Sequence, residues 1–385
     1  MKCRAVIIGS DHANTLSLIR GLGRNKIPFV VVFHSEDRHL CINSRYVRKN
    51  YIFVEQSQEA IIGALRKIRN KTDYKPIILC ATDIAQYTVD YYLNELEKDF
   101  YCFNFNHQEK KICRLMDKYE QYLFAYKHGI EMAKTWKVKL TDTIELPDDI
   151  EYPVIIKPAI SAFGAKKDIE RADDEHSLQK MIHNLIKKGY VEAIIQKFIK
   201  KDFEVTTLGC IYSKDIENSL LLLKKIHIYP TVGGSMSYAQ NMIPIPKEVS
   251  HVVEILQEEG YTGLYDIEFF YTDGHYVLNE INFRNSGVNY VLLSHGINTA
   301  YQWYLHCNGG DIAKMEKKAR KKMYNFEIYR ELCLLQKKEI SFFMFIKEFM
   351  SASSYSLFAW DDMKPLFKVI INVDLIRERF KSEKK

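Results

Sequence analysis

Unbroken apolar runs of strand length alternate with stretches of helical period through the first third of the chain. RAVIIGS, PFVVVF, YIFVEQ and PIILCATD are the runs, and NTLSLIRGLGRN and QEAIIGALRKIR repeat their apolar positions every three to four residues between them. DFYCFNF continues the series. Strands apolar at successive positions are covered on both faces, so residues 1–115 are predicted to form a parallel α/β sheet with helices on either side. The first turn, GSDHANT, lacks G-x-G-x-x-G, and no dinucleotide is predicted there. Ser10, Asp11, Thr82 and Asp83 stand at carboxyl ends of strands, where a ligand of such a sheet binds, although residues that cap loops look the same.

The period changes to two between Gly263 and Asn285, where LYDIEFFY and HYVLNEIN flank Thr272-Asp273-Gly274. Gly274 can take the left-handed conformation of a tight turn, which predicts a hairpin whose three-residue loop is closed by Tyr271 and His275. That register sets Glu268 opposite Leu278 and Asp266 opposite Glu280. It gathers Asp266, Glu268, Glu280 and Asn282 on one face and leaves Ile267, Phe269, Val277 and Ile281 for a core. Clustered carboxylates on an apolar-backed hairpin repel one another unless a cation compensates them. An all-oxygen set suits a hard ion such as Mg2+, which would keep positions for water and phosphate. Arg284 continues the face and offers a fork for a phosphate or carboxylate. The plainer reading is a solvated polar strand face.

Ahead of the hairpin, MDKYEQYLFAYKHG has helical period and stops at Gly129. VIIKP is a buried strand that ends by presenting Lys157, and the loop after it carries Ser161, Gly164, Lys166 and Lys167. VEAIIQKFIKKDFEV reads as two strands joined by a short linker, and SLLLLKKIHIY leads through Lys225 to PTVGGSMSYAQNM.

Taken in order, Lys118, Lys157, Gln196 to Glu204 and then E-x11-E-x-N-x-R from Glu268 to Arg284 resemble the ATP-grasp superfamily, which includes biotin carboxylase, carbamoyl-phosphate synthase and peptide-forming carboxylate–amine ligases. The resemblance implies a Rossmann-like pre-ATP-grasp domain at 1–115 and a two-lobed α+β ATP-grasp fold. The latter divides into a lid at 116–195 and a metal and substrate subdomain at 196–310, followed by a small extension at 311–385. It implies that Lys118, Lys157 and Lys166 meet the phosphates of ATP. Gln196 and the backbone of Lys197, Phe198 and Ile199 would meet adenine, and Glu204 the ribose hydroxyls. Lys225 either reaches phosphate or is a solvated strand residue. Glu268 and Glu280 would hold one Mg2+ and Glu280 with Asn282 a second, Mn2+ serving as well. Arg284 would hold the acyl phosphate or the substrate carboxylate and, with Lys118 and Lys157, neutralise the charge that develops, with Ser10, Asp83, Gly233, Gly234 and Ser235 on the substrate side. The chain departs from the family in having Gly164 alone in the phosphate loop, Gln196 where many relatives have glutamate, and Ala133-Lys134 where a proline is frequent.

The implied reaction joins a small-molecule carboxylate to an amine through an acyl phosphate, releasing ADP and phosphate, with an amino acid such as D-aspartate as one substrate. A phosphotransferase and a non-catalytic nucleotide-binding scaffold are the alternatives.

Composition agrees with a globular protein: 47% hydrophobic and 27% charged residues leave room for both a core and a wetted surface. The eight cysteines form no C-x-x-C pair, so neither a zinc ribbon nor a disulfide framework is expected, and a reducing cytoplasm is the expected compartment. No signal-peptide pattern follows Met1, and no apolar run approaches the roughly 18 residues of a membrane span. Residues 311–385 hold 17 Lys or Arg against 11 Asp or Glu, which accounts for the whole net charge of +6. These charges are interspersed, as on a solvated helical face; an anionic membrane surface is the alternative, and a nucleic-acid partner is not expected. The aromatic stripe in YRELCLLQKKEISFFMFIKEFM packs on its own chain, or faces a membrane or a second copy in a homodimer. Trp360-Asp361-Asp362 with Lys364-Pro365 resembles the ending of D-aspartate ligase-like members.

Overall fold

AVIIG and FVVVF are buried at every position, and alternation sends their side chains into two cores. The computed structural model describes residues 3–34, 40–69, 71, 74–141, 145–160, 168–231 and 234–371. Strands β1 (Ala5–Gly9), β2 (Phe29–Phe33), β3 (Tyr51–Phe53) and β4 (Ile77–Cys80) form a parallel sheet in the order β3-β2-β1-β4. Ile7, Val31 and Leu79 pack with the helix Ala13–Arg24 on one face. Val6, Ile8, Val30 and Ile78 pack with the helices Gln58–Arg69 and Asp83–Tyr91 on the other. The expected two-sided sheet is thus present.

DFYCFNF does not extend that sheet as expected. Tyr101 makes a single parallel bridge to Ile77, and the chain then leaves, so that β5 (Asn104–Phe105) pairs antiparallel with Tyr261 and Thr262. Aromatic burial accounts for the departure: the Phe103 ring lies 5.3 Å from Trp303, and Phe105 lies 5.0 Å from Tyr261 and 5.5 Å from Phe283.

A second sheet, ordered β6-β9-β7-β8, contains β6 (Thr135–Lys139), β7 (Val154–Pro158), β8 (Glu170–Ala172) and β9 (Glu192–Lys197). The helix Glu175–Lys187 starts on a capping box between Asp174 and Ser177 and lays Leu178, Ile182 and Leu185 against Val154, Ile156 and Ile195.

The largest sheet is made of β10 (Phe203–Ile211), β11 (Ser219–Tyr229), β12 (Ser235–Asn241), β13 (Tyr261–Thr272), β14 (His275–Asn282), β15 (Tyr324–Phe326) and β16 (Ser354–Tyr355). Their order is β14-β13-β10-β11-β12-β15-β16. Val249, Val252 and Leu256 of the helix Lys247–Glu258 share one continuous core with Ile267, Phe269 and Ile281 of this sheet and with Ile7 and Val31 of the first. The two sheets are therefore fixed to one another by apolar burial, with β14 left at an edge.

Residues 311–371 join the same body. Besides adding β15 and β16, they send Asp362 into a buried ion pair with Arg20, 3.0 Å between Nε and Oδ2, where Ser44 Oγ and the Arg45 amide also donate to the carboxylate. Asp361 makes a two-pronged pair with Arg24 at 2.8 Å. The aromatic stripe divides: Phe345 and Phe349 pack on Phe326, whereas Phe342, Phe343 and Met350 of the helix Phe342–Ser351 are exposed. Among the described residues no helix is long and apolar enough to cross a membrane.

Candidate active site

The hairpin forms, in a register different from the expected one. Its loop is the two-residue Asp273-Gly274, at φ +50° and +88°, and Thr272 stands opposite His275. Positive φ at both central residues is the mirror-image turn whose twist matches paired strands. Phe269 lies opposite Leu278, but Glu268 lies opposite Glu280, so Asn279 is an extra residue in β14. This bulge restores the alternation that the shorter loop would have reversed. Glu268 therefore faces Glu280 rather than Leu278, and Asp266 faces Asn282 rather than Glu280. The four polar residues still share a face. Val277 is buried as expected but pairs with Phe270 on the polar side, and Leu278 takes the core position opposite Phe269.

Neighbouring strands complete that face. Register sets Thr206 beside Glu268, Leu208 beside Asp266 and Lys225 beside Glu204. Thr206 Oγ1 donates to Asp266 at 2.5 Å. Lys225 Nζ lies 2.9 Å from Glu204 Oε2 and 3.1 Å from Glu268 Oε2. Burial works to discharge this lysine, but Glu268 and Glu204 outweigh it and hold its pKa above the ordinary value. Lys201 also pairs with Glu204. Asp266 is raised, by burial first and then by the charge of Glu268.

The second sheet approaches from the other side. Lys157 on β7 donates to Gln196 Oε1 at 3.1 Å, and Gln196 Nε2 donates to Thr135 Oγ1 at 2.9 Å. Burial, and then the charge of Lys118, push Lys157 down to about 8, against the pull of Glu280 and Glu268. Lys118 opens the helix Lys118–Lys127, which Asp117 caps, and its Nζ lies 4.0 Å from Glu280 Oε1. Lys118, Lys157 and Lys225 are 8%, 7% and 6% exposed, and lysine is seldom so buried without anionic company.

Two residues that sequence reasoning passed over position this group. Gln121, one turn beyond Lys118, donates to the Ile281 carbonyl at 2.8 Å and accepts from the Ile281 amide at 2.9 Å. It thereby pairs the outward backbone of an edge strand between Glu280 and Asn282. Asn285 donates to the Asn14 carbonyl at 2.8 Å, and its amide donates to Cys80, which fastens the end of the hairpin to the first sheet. A polar residue on the inner side of a helix was the available signal for Gln121.

Arg284 donates to both oxygens of Asp83, 2.7 and 3.2 Å, and reaches Asn282 Oδ1 at 3.4 Å. Burial would lower its pKa, but Asp83 raises it further still. Asp83 is thus a partner of Arg284. The neighbouring strand ends have local partners: Asp11 accepts the Leu40 and Cys41 amides at 2.7 and 2.6 Å, and Thr82 Oγ1 lies 2.6 Å from His34 Nε2. These are the loop-capping roles named above as the alternative. Ser10 follows β1 at the same end of the sheet.

Other candidates have partners of their own. The Lys197 ammonium pairs with Glu151 on the outer surface, and its amide donates to Lys134. The Phe198 ring carries the Arg171 guanidinium 4.4 Å from its centroid, and its amide donates to Pro153. Ile199 continues the linker into β10. Ser235 opens β12 opposite Tyr229, and Gly234 before it is so close to Pro230 that a Cβ would meet that carbonyl oxygen at 1.9 Å. Lys166 and Gly233 lie outside the described residues.

What remains is a face on which Glu268, Glu280 and Asn282 each offer side-chain oxygen from two opposed strands, ringed by Lys118, Lys157, Lys225 and Arg284. The donor set fits a hard divalent cation such as Mg2+, and the ring of cations fits a polyanion held on it.

Residues 123–294 match the model of the ATP-grasp domain. Two curated relatives align with the chain. One is the formate-dependent phosphoribosylglycinamide formyltransferase of Prochlorococcus marinus (strain MIT 9312), 26% identical over 166 residues, 42% of this chain and 42% of the relative. The other is the D-aspartate ligase of Enterococcus faecium (strain Aus0004), 22% identical over 268 residues, 66% of this chain and 62% of the relative. The chain therefore spans less than two thirds of the length of these relatives. Among solved structures, N5-carboxyaminoimidazole synthetase from Staphylococcus aureus superposes with a TM-score of 0.62 at 18% identity, over 88% of this chain and 86% of that one.

Proposed function

We propose, from the premise that this α/β chain carries an ATP-grasp domain, that it is an ATP-dependent carboxylate–amine ligase working through an acyl phosphate. Domain limits of 1–115, 116–195, 196–310 and 311–385 belong to the same proposal. Lys118 from the start of its helix and Lys157 from the second sheet would bind the triphosphate, with Lys166, after β7 in the sequence, adding charge. Gln196 would orient the adenine edge with the linker Lys197, Phe198 and Ile199. Because the Lys197 and Phe198 amides are already engaged, that linker contact falls to its carbonyls and to Ile199. Glu204 would accept the ribose hydroxyls, exchanging Lys201 and Lys225 for them.

Glu268, Glu280 and Asn282 would hold Mg2+, which when bound supplies charge neutralisation between the terminal phosphates. A fully ionised triphosphate with two such ions adds no net charge, which suits a site whose carboxylates already have cations beside them. A substrate carboxylate oxygen then attacks the terminal phosphorus. The new O–P bond forms as the bond to ADP breaks, with Lys157, Lys225 and Arg284 placed for the charge that develops. An amine attacks the acyl carbon, loses a proton, and phosphate leaves. Ser10, Asp83, Gly233, Gly234 and Ser235 would border the carboxylate and amine. An amino acid is the preferred substrate, supported by the D-aspartate ligase relative.

The observation that carries the reading is the convergence of buried lysines from two sheets on one opposed glutamate pair. The test is incubation of the chain with ATP, Mg2+ and a panel of amino acids, D-aspartate included. The expected products are ADP and free phosphate. AMP with pyrophosphate would exclude the acyl-phosphate route, and ADP without free phosphate would identify a phosphotransferase.

A further inference from the structure

Three side chains from three elements meet beyond the lysine and carboxylate face. His227 lies on β11, Glu331 on the helix Ile328–Gln336 and Glu348 on the helix Phe342–Ser351. His227 Nδ1 is 3.2 Å from each oxygen of Glu331 and 3.5 Å from Glu348 Oε2. Glu331 is fully buried and Glu348 only 8% exposed. Their ligand atoms all fall within 4.8 Å of one another, the one such group among the described residues.

With both carboxylates ionised, the charges of this cluster do not balance. Two buried carboxylates share one imidazole, and even a charged imidazole leaves a negative charge over. Glu348 Oε2 is buried and makes no hydrogen bond, and it lies 3.5 Å from His227 Nδ1, within 4.8 Å of the other ligand atoms. Burial raises the Glu348 pKa, with His227 opposing and Glu331 adding to the rise; His227, which burial would lower, is raised by Glu331 and Glu348. Lys347, the cation next to Glu348 along the chain, is exposed.

We infer that His227, Glu331 and Glu348 form a binding site for one divalent transition-metal ion of the Zn2+ class, tying the helices Ile328–Gln336 and Phe342–Ser351 to β11. Metal–ligand bonds of about 2.0–2.1 Å in a tetrahedron set donors roughly 3.3–3.4 Å apart, a separation that the measured 3.2 and 3.5 Å bracket. An imidazole nitrogen among the donors favours Zn2+ over Mg2+ or Ca2+, which prefer oxygen alone. Three protein ligands leave a fourth position for water. The ion would anchor β11 two residues from Lys225, and its role is structural whatever reaction the other face performs.

The test uses the full chain, stripped with chelator and free of nucleotide, titrated with Zn2+ by calorimetry and with Co2+ by visible absorption. One ion per chain is expected, with a rise in melting midpoint on adding Zn2+. Binding should persist in Glu280→Gln and weaken at least tenfold in His227→Gln and in Glu348→Gln, whose isosteric side chain keeps the packing. Binding of equal affinity in both variants would assign the ion to a thiol or another site and overturn the inference. Should the variants fail to fold, the wild type decides: a four-coordinate Co2+ spectrum without thiolate character, displaced by Zn2+, supports the site. Absence of bound ion overturns it and leaves the carboxylates sharing a proton.

Discussion

The Arg284 guanidinium grips the Asp83 carboxylate with two nitrogens, 2.7 and 3.2 Å away, although the two residues follow strands of different sheets and lie 201 positions apart. Asp83 opens the helix after β4, and Arg284 follows β14, so this pair spans the cleft between the first sheet and the hairpin. An anion bound by Arg284 would share the fork with Asp83 or displace it.

Asp83→Ala and Arg284→Lys, with the double mutant, should therefore show coupling in stability of about 1–2 kcal/mol, since both side chains are partly screened by solvent. Urea unfolding of the four proteins measures it. Additive effects would mean that the pair is incidental. In activity, Arg284→Lys should lower kcat more than Asp83→Ala, because a lysine cannot reproduce the fork on an acyl phosphate.

Glu280→Gln should reduce ADP formation by roughly 100-fold or more and shift the Mg2+ dependence upward. Without nucleotide the same variant should be no less stable than the wild type, because Glu268 and Glu280 stand directly opposite each other and like charges across a strand pair repel. An unaltered Mg2+ titration would remove the hairpin from the metal site.

Lys157 gives the clearest pH prediction. Its pKa is lowered from 10.5 to about 8, so between these values the unfolded chain keeps the proton and the folded chain releases it. Stability contributed by this site therefore rises with pH across the window from about 8 to 10.5, and below 8 the folded state bears the full cost of a buried charge. Lys157→Met should stabilise the ligand-free chain at pH 7 by up to about 2 kcal/mol and abolish the wild-type advantage gained on going to pH 10. Its ATP affinity should collapse. Equal slopes of stability against pH in the two proteins would contradict the assignment.

Gln121→Leu removes both partners of the Ile281 backbone while keeping the bulk of the side chain. Leaving a buried amide and carbonyl unpaired should cost about 1–3 kcal/mol and loosen the hairpin carrying Glu280 and Asn282. Hydrogen exchange at Ile281 reports it directly: protection should fall there more than in β10.

The two adjacent aspartates of the C-terminal segment should differ sharply. Asp362→Ala strands Arg20 in a site where the pair is 3% and 0% exposed, and a loss of roughly 3–5 kcal/mol is expected. Asp361→Ala breaks a pair about one-third exposed on each side, and should cost under about 1 kcal/mol. Comparable losses would show that the segment is held by its apolar contacts instead.

The sequence alone determined what depends on neighbours along the chain. Apolar runs announced β1, β2 and β4, because strands covered on both faces need apolar side chains at every position. Alternation along the hairpin put Asp266, Glu268, Glu280 and Asn282 on one face, and helical period predicted the helix that carries Lys118. Tertiary structure decided the rest, where the energy lies in contacts between distant residues. The bulge at Asn279 sets which carboxylates oppose, a choice made by the burial of Leu278 against Phe269 rather than by the turn. Phe103 and Phe105 left the first sheet because their aromatic partners, Trp303, Tyr261 and Phe283, come from far along the chain. Gln121 with Ile281, Asp83 with Arg284 and Arg20 with Asp362 pair groups 160 to 342 residues apart. Periodicity records which side of an element is buried; it carries no information on what that side is buried against.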